Sequence, residues 1–487
     1  MSEMQAIESL DPTLRGLCES TLRAAQVPGA SIAIVAEDSA YHLSYGVKSI
    51  ASGEPVTAQS GFDIASCTKA FVSATMASLV ADGLVSWDDP ITRYVPEFAL
   101  CDPVVTRQAT LRDLSANRLG LPRGGLMEFG LDPRFTGEHV FARLRHTQPL
   151  HALRTRFGYF NAGHSANAVA IGRITGAGFL ATLRGRLLEP LGMHGSSGGE
   201  AARHGLKDQA AWHGLVDGRM QTYDALYMTS HFGAGGMVVS GADAVPWLRL
   251  HLNGGVVNGR QVIEREALRE THTPQIVAHP GQDIASLFYP GAHMAAYALG
   301  WAVCDVDGHP VLCHSGSSLG VSSMTLLLPR SRLGIAVYCN ATGGHAPPLA
   351  YAIAAQLLGL APRDWKAALT LPAAPGPVAD ADVAMLPADA YAGYYAHPAD
   401  GPLLVQTLPG GAGLAVEVLH GYRLGFTATP TTGHRFAVHF GHPEWRAMFA
   451  NDVPELIFKV TDGQVVSARL SAGPMSREFC REGAGNA

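Results

Sequence analysis

The chain has 487 residues, 47 % of them hydrophobic and 16 % charged, which supports large cores and excludes wholesale disorder. Its net charge is −6 with no long block of either sign, so nothing in the composition asks for a nucleic acid or an anionic membrane. The seven cysteines are odd in number, scattered and without a CxxC pair, which argues for reduced thiols and against a disulfide framework or a zinc site.

The start, Met1-Ser2-Glu3-Met4, lacks the basic and apolar runs of a secretory signal, and no stretch of ~18 apolar residues follows. A cytoplasmic location without a membrane span is therefore expected. Ala30–Val35 and His42–Val47 read as a pair of strands around the turn-like Glu37-Asp38-Ser39. Phe62–Lys69 runs into Ala70–Asp82, an alanine-rich segment at helical spacing that stops near Gly83. Residues 90–255 read mostly as helices between Gly/Pro-rich loops, with His139–Arg145, Ser165–Thr175, Gly178–Leu188 and Ala242–Leu252 the clearest. Strands return at Leu299–Asp305, Pro310–His314, Ser322–Leu328 and Gly334–Asn340, and Pro347–Leu358 reads as a helix. Strands at both ends with helices between them predict an α/β layered domain over 1–361, with one sheet built from distant parts of the chain and a helical insertion.

Residues 362–388 are rich in Ala, Pro and Asp and read as a linker. From 389 to 487 the rhythm changes to short strands spaced by turns: Tyr391–Tyr395, Leu403–Thr407, Leu414–Leu419, Arg435–Phe440, Glu455–Val460 and Val465–Leu470. That regularity predicts a small antiparallel β-barrel or sandwich.

Lysine is scarce, with only Lys48, Lys69, Lys207, Lys366 and Lys459. Lys69 closes the tetrad Ser66-Cys67-Thr68-Lys69 at the start of the apolar helix. Residues three apart share a helix face, so the Lys69 amine can reach the Ser66 hydroxyl, a weak nucleophile until a base takes its proton. A lone Ser-x-x-Lys is expected by accident about 0.3 times in such a composition, so it decides nothing alone. Tyr159-Phe160-Asn161, just before a predicted helix, and His314-Ser315-Gly316, at the end of an apolar strand, complete a set.

This order of motifs resembles that of the penicillin-recognising serine hydrolases: class C β-lactamases, D,D-peptidases, related esterases, D-aminopeptidases and penicillin-binding-protein-type thioesterases. The likeness covers most of residues 20–360. It includes Phe62-Asp63-Ile64-Ala65, Asp88-Asp89-Pro90, Leu111-Arg112-Asp113-Leu114, Pro190-Leu191-Gly192-Met193 and Gly233-Ala234-Gly235-Gly236-Met237. The resemblance implies Ser66 as nucleophile, Lys69 as its base partner and Tyr159 as proton carrier to the leaving group, or as base if ionised. It implies Asn161 as the group that positions Lys69 and a substrate amide. His314 stands where a lysine is usual, with Gly316 supporting the third motif. The backbone N–H groups of Ser66 and Ser317 are the implied oxyanion hole, and such donors contribute ~3–4 kcal/mol each to a transition state. Tyr391-Ala392-Gly393-Tyr394-Tyr395 resembles the opening of the lipocalin-like domain that follows this domain in several relatives.

The expected activity is acyl-enzyme formation on an ester, amide or thioester of a small molecule or peptide, followed by hydrolysis or by transfer to an amine. No cofactor or metal is implied. A partly charged histidine suits a substrate carboxylate less well than a permanent lysine cation, so a β-lactamase role recedes. A binding relative with an idle Ser66 is the alternative of another class.

Four other patterns are set aside. Gly316-Ser317-Ser318-Leu319-Gly320 spells a nucleophile elbow, but a strand follows where that motif needs a helix. Gly176-Ala177-Gly178 follows a helix, not the strand a dinucleotide fingerprint needs. The 21 histidines show no metal-ligand spacing, and Cys67 reads as a packing residue.

Overall fold

A computed structural model describes residues 11–123, 136–199, 208–223, 232–279, 287–370, 384–419, 424–449, 454–472 and 475–483. Strands β1 (Gly29–Ala36) and β2 (Ser39–Gly46) belong to the same sheet as β3 (Ile276–Ala278), β4 (Ala295–Tyr297), β5 (Ala302–Val306), β6 (His309–Ser318), β7 (Val321–Leu328) and β8 (Leu333–Cys339). The spatial order is β3-β4-β5-β6-β7-β8-β1-β2, antiparallel throughout, with Ala30 opposite Cys339 and Ala36 opposite Leu333 where the two ends of the domain meet. β7 and β8 are buried at every residue and β1 at all but its last. This explains why they lack a simple inside–outside alternation, although β7 also buries Ser322, Ser323 and Thr325.

Helices cover both faces. Ala346–Leu358 packs on β7 and β8 with the N-terminal helix Pro12–Ala24 against it, and Gly241–Leu252 packs across β1 and β8 on the other side. Beyond that second layer lies α1 (Thr68–Ala81), buried at Thr68–Leu79, with Phe71 stacked on Trp247 at 3.7 Å between ring centroids. A helix hydrophobic all round belongs inside a domain, which fixes α1 as the central post of the helical half. α2 (Asn161–Thr175) packs beside it.

Several boundaries differ from the sequence reading. The helix expected from Ser165 begins at Asn161, because Ala162, Gly163 and His164 all turn inward and bury. Leu299 and Gly300 lie outside the strand expected there; Gly300 has φ +78, and a Cβ on it would meet the Lys69 carbonyl oxygen at 2.8 Å. The region read as helical contains a hairpin, Trp212–Val216 with Arg219–Tyr223, turned at Asp217-Gly218. The elbow-like Gly-Ser-Ser-Leu-Gly is the end of β6 and its tight turn into β7, as the sequence reading required.

The segment read as a linker starts with a short helix, Trp365–Ala368, whose Trp365 is buried and stacks on Tyr351 at 5.3 Å. Residues 371–383 of it lie outside the described residues. The C-terminal strands form a closed eight-stranded antiparallel barrel. Its members are β9 (Gly393–His397), β10 (Gly401–Thr407), β11 (Leu414–Val418), β12 (Leu424–Pro430), β13 (Arg435–Phe440), β14 (Glu455–Thr461), β15 (Gln464–Ala472) and β16 (Met475–Arg481). β12 and β16 were not anticipated. Gly425 and Pro430 dilute the first, and the charged Arg477, Glu478 and Arg481 mask the second. Closure removes the exposed edges that a sandwich would leave. Phe426, Phe436, Phe458 and Phe479 are buried together with Tyr391 and Tyr395, so packed side chains fill the interior.

Among the described residues, the barrel rests on the first domain at two places. Its helix Pro443–Met448 packs on the strand Trp212–Val216, where Arg446 pairs with Asp217. Ala447 joins a buried cluster with Trp212, Tyr223, Leu319 and Ala65, the residue before Ser66. At the second place Arg143 donates to the Ala399 carbonyl at 3.1 Å and Arg477 to the Arg123 carbonyl at 3.0 Å.

Candidate active site

Ser66 sits in a single 3₁₀ turn, Ala65–Cys67, that leads directly into α1. The turn is pinned on every side. The Asp63 carboxylate accepts from Ala65 N–H at 2.8 Å, the Ile64 N–H donates to the Met237 carbonyl at 3.0 Å, and Thr68 Oγ1 accepts from Met237 N–H at 3.1 Å. Ala65 is held at φ +42, a conformation that costs a non-glycine residue about 1–3 kcal/mol and persists only where surroundings over-determine it. The kink presents Ser66 at the N-terminal end of α1.

Lys69 follows one turn later and has no exposed surface. Its Nζ lies 3.0 Å from Ser66 Oγ and donates to the Ala234 carbonyl at 2.9 Å. With the amine 3.0 Å from the seryl oxygen, the short contact fits a serine–lysine base pair. The Tyr159 ring centroid lies 4.8 Å from the same Nζ. Ser66, Lys69 and Tyr159, 93 residues apart in the chain, are thus one cluster. Asn161, partly buried, occupies the first turn of α2 directly after it.

β6 supplies the opposite wall. A Cβ added to Gly316 would lie 3.0 Å from Ser66 N and closer still to the Ile64 carbonyl oxygen and Ser323 Oγ. Only glycine lets the strand approach the nucleophile turn so closely, and Ser317 is the next residue along that strand. Cys67 helps hold the contact: its thiol donates to the His314 carbonyl at 3.0 Å. Burial pushes that thiol up to about 11, so it stays protonated and packs, as the sequence reading had it.

His314 is fully buried beside Tyr159, with ring centroids 6.3 Å apart. Its Nδ1 lies 2.7 Å from the Ser315 carbonyl and its Nε2 3.0 Å from the Tyr297 hydroxyl. A carbonyl only accepts, so Nδ1 carries the proton and Nε2 accepts from Tyr297. Burial first, and the Lys69 charge second, push the imidazole down to about 3. The partly charged histidine expected from sequence is therefore a neutral one at physiological pH.

Further residues serve the site without having been singled out. Asn117, at φ +52, grips the Tyr159 segment from both sides: its carbonyl accepts from Gly158 N–H at 2.9 Å and its side-chain oxygen from Phe160 N–H at 3.0 Å. Burial raises Tyr297 well above the usual tyrosine range, which keeps it a donor to His314. His164 is fully buried near Lys69 and His314, and both its ring nitrogens lack a hydrogen-bond partner among the described residues. Arg123 places its guanidinium 5.7 Å from the Tyr159 ring centroid. Only Asn117 carried a sequence cue, a turn-prone residue just after the Leu-Arg-Asp-Leu string.

Among the described residues no group of three metal-ligating side chains occurs, and no single helix is long and apolar enough to cross a membrane. The Beta-lactamase family model matches residues 14–360. The chain belongs to the beta-lactamase family. Membership places it in the serine-hydrolase-type group that also contains the penicillin-binding proteins. One relative is Penicillin-binding protein 4 of Amycolatopsis lactamdurans, 27 % identical over 367 residues, which cover 74 % of this chain and 92 % of that protein. Another is the Unguisins hydrolase ungD of Aspergillus violaceofuscus, 25 % identical over 338 residues, covering 65 % of this chain and only 59 % of that hydrolase.

Among solved structures, the octameric penicillin-binding protein homologue from Pyrococcus abyssi superposes with a TM-score of 0.63 at 20 % identity. It covers 96 % of this beta-lactamase-family chain and 99 % of its own. A class C beta-lactamase gives 0.58 at 18 % identity and covers 71 % of this chain and 95 % of its own. These likenesses establish the fold. Together they match a beta-lactamase-like domain followed by a barrel.

Proposed function

We propose that the protein is a serine acyl-enzyme hydrolase acting on an ester, amide or thioester. The observation that carries this reading is the contact of 3.0 Å between Ser66 Oγ and the buried Lys69 amine, with the Tyr159 ring against that amine. In the reaction, Lys69 Nζ in its deprotonated form takes the seryl proton as Oγ bonds to the substrate carbonyl carbon. The N–H groups of Ser66 and Ser317 hold the oxyanion. Tyr159 delivers a proton to the leaving group and recovers one from Lys69. Water then attacks the acyl-enzyme, and the same groups run in reverse to release the acid.

His314 enters as a neutral hydrogen-bonding wall rather than a cation. That speaks for esters or peptides that do not rely on a positive charge from the third motif. Kinship with a protein named for the hydrolysis of unguisins supports hydrolysis as the outcome.

Turnover of a panel of aryl esters, peptidyl thioesters and D-residue peptide amides tests the reading, with wild type compared to Ser66→Ala. Loss of all turnover in the variant is expected, and full turnover by it would overturn the proposal. Product analysis with and without added amine separates hydrolysis from acyl transfer.

A further inference from the structure

We propose that Arg123 is a specificity-determining residue that pairs with a carboxylate on the substrate, and that the barrel domain holds it in position. This rests on the acyl-enzyme reading above and narrows its substrate to acyl donors bearing an anionic group. Two cations lie against the Tyr159 ring. Lys69 is fully buried and already engaged by Ser66 and Ala234, so it cannot meet a substrate anion directly. Arg123 is exposed, and no carboxylate among the described residues pairs with it. The contrast with its neighbours is direct. Arg112 pairs with Asp88 and Glu270, and Arg118 and Arg154 share the buried Asp113. Among the described residues the Arg123 guanidinium meets the Tyr159 ring and no acid, so it is placed to receive an anion beside that tyrosine.

Two further observations point the same way. The third-motif position offers no positive charge, since the His314 ring donates from Nδ1 to Ser315 and accepts at Nε2 from Tyr297. The backbone of Arg123 is also held from outside its own domain. Arg477 of β16 donates from Nη2 to the Arg123 carbonyl at 3.0 Å, and its Nε pairs at 3.2 Å with the buried Asp400. Asp400 in turn lies 3.2 Å from His397 Nδ1. The barrel thus fixes the backbone from which the guanidinium reaches over Tyr159. Arginine's planar fork suits bidentate carboxylate recognition.

The carboxylate could sit on the acyl portion or on the leaving group, and the test separates them. Binding is measured by calorimetry on Ser66→Ala, which removes the chemistry. One pair of ligands is the 4-nitrophenyl ester of glutarate and of its monoamide; the other is 3-carboxyphenyl and 3-carbamoylphenyl acetate. The carboxylate member of one pair is expected to bind more tightly, on the order of tenfold, as one charge-assisted pair provides. Adding Arg123→Gln should bring the two members of that pair to parity, and Arg123→Lys should keep part of the preference. Arg477→Gln should reduce the preference while leaving the neutral ligand's affinity unchanged. The inference is overturned if neither pair favours the carboxylate, or if the preference survives Arg123→Gln. Acylation of Ser66 by the neutral esters in the wild-type protein is a separate readout. Its absence would defeat the acyl-enzyme reading without altering the binding result for Arg123.

Discussion

A methyl group added at Gly316 tests how closely β6 must approach the nucleophile. In Gly316→Ala the new carbon would lie 3.0 Å from Ser66 N and nearer to the Ile64 carbonyl oxygen and Ser323 Oγ. Carbon and oxygen come no closer than about 3.3 Å even in favourable contacts, so the Ala65–Cys67 turn and β6 must part by on the order of 1 Å. Both proposed oxyanion donors, the N–H groups of Ser66 and Ser317, sit on the elements that separate. A misplacement of about 1 Å in a reacting group can cost on the order of 100-fold in rate. Overpacking of this kind also destabilises by roughly 1–3 kcal/mol.

The assay is kcat/KM on an activated aryl ester, together with urea unfolding to confirm that the variant is folded at the assay temperature. Gly185→Ala is the control, because a Cβ there meets nothing within 4 Å. The expected result is a loss of about two orders of magnitude in kcat/KM for Gly316→Ala and none for Gly185→Ala. Equal activity in both variants would refute the account of how the site is assembled.

Lys69→Met keeps most of the side-chain volume and removes the amine, so kcat/KM should fall by at least the ~10²–10⁴-fold typical of a lost general base, while the thermal midpoint moves far less than activity. Asn117→Ala removes the acceptor for Phe160 N–H and leaves a non-glycine residue at φ +52. It should lower kcat more than it raises KM and cost about 1–3 kcal/mol in urea unfolding. Acid should destabilise the fold through histidines that are buried, as His314 is, or half-buried, as His42 and His272 are. His314 is pushed down to about 3, and His42 and His272 to about 4, so each binds a proton in the unfolded chain before it does in the folded one. Their contribution is complete above about pH 6.5 and is lost as pH falls from there toward the folded values. The thermal midpoint should decline across that window, and His314→Gln should flatten the decline.

The parts of this molecule that could be read from sequence are those set by local chemistry. Ser66 and Lys69 must be three apart to share a helix face, and Tyr159-x-Asn161 must open a helix, so both spacings survive as text. β1, β7 and β8 are rich in apolar residues because both their faces are covered, although Ser31, Ser322, Ser323 and Thr325 are buried among them. The hairpin Trp212–Tyr223 was missed although Asp217-Gly218 marks its turn, because it sits amid helical segments. The protonation of His314 could not be read at all, since it depends on burial, on Lys69 and on the hydroxyl of Tyr297. Arg123 owes its place to Arg477, 354 residues away. Contacts made across domains leave no periodicity behind them.

The most direct test of the central claim is the intact mass of the protein after brief exposure to an activated ester, followed by peptide mapping. The account predicts a single acyl adduct on Ser66 that decays as product appears and is absent from Ser66→Ala. Steady turnover with no adduct under acid quench, or an adduct mapped to another residue and retained in Ser66→Ala, would contradict it.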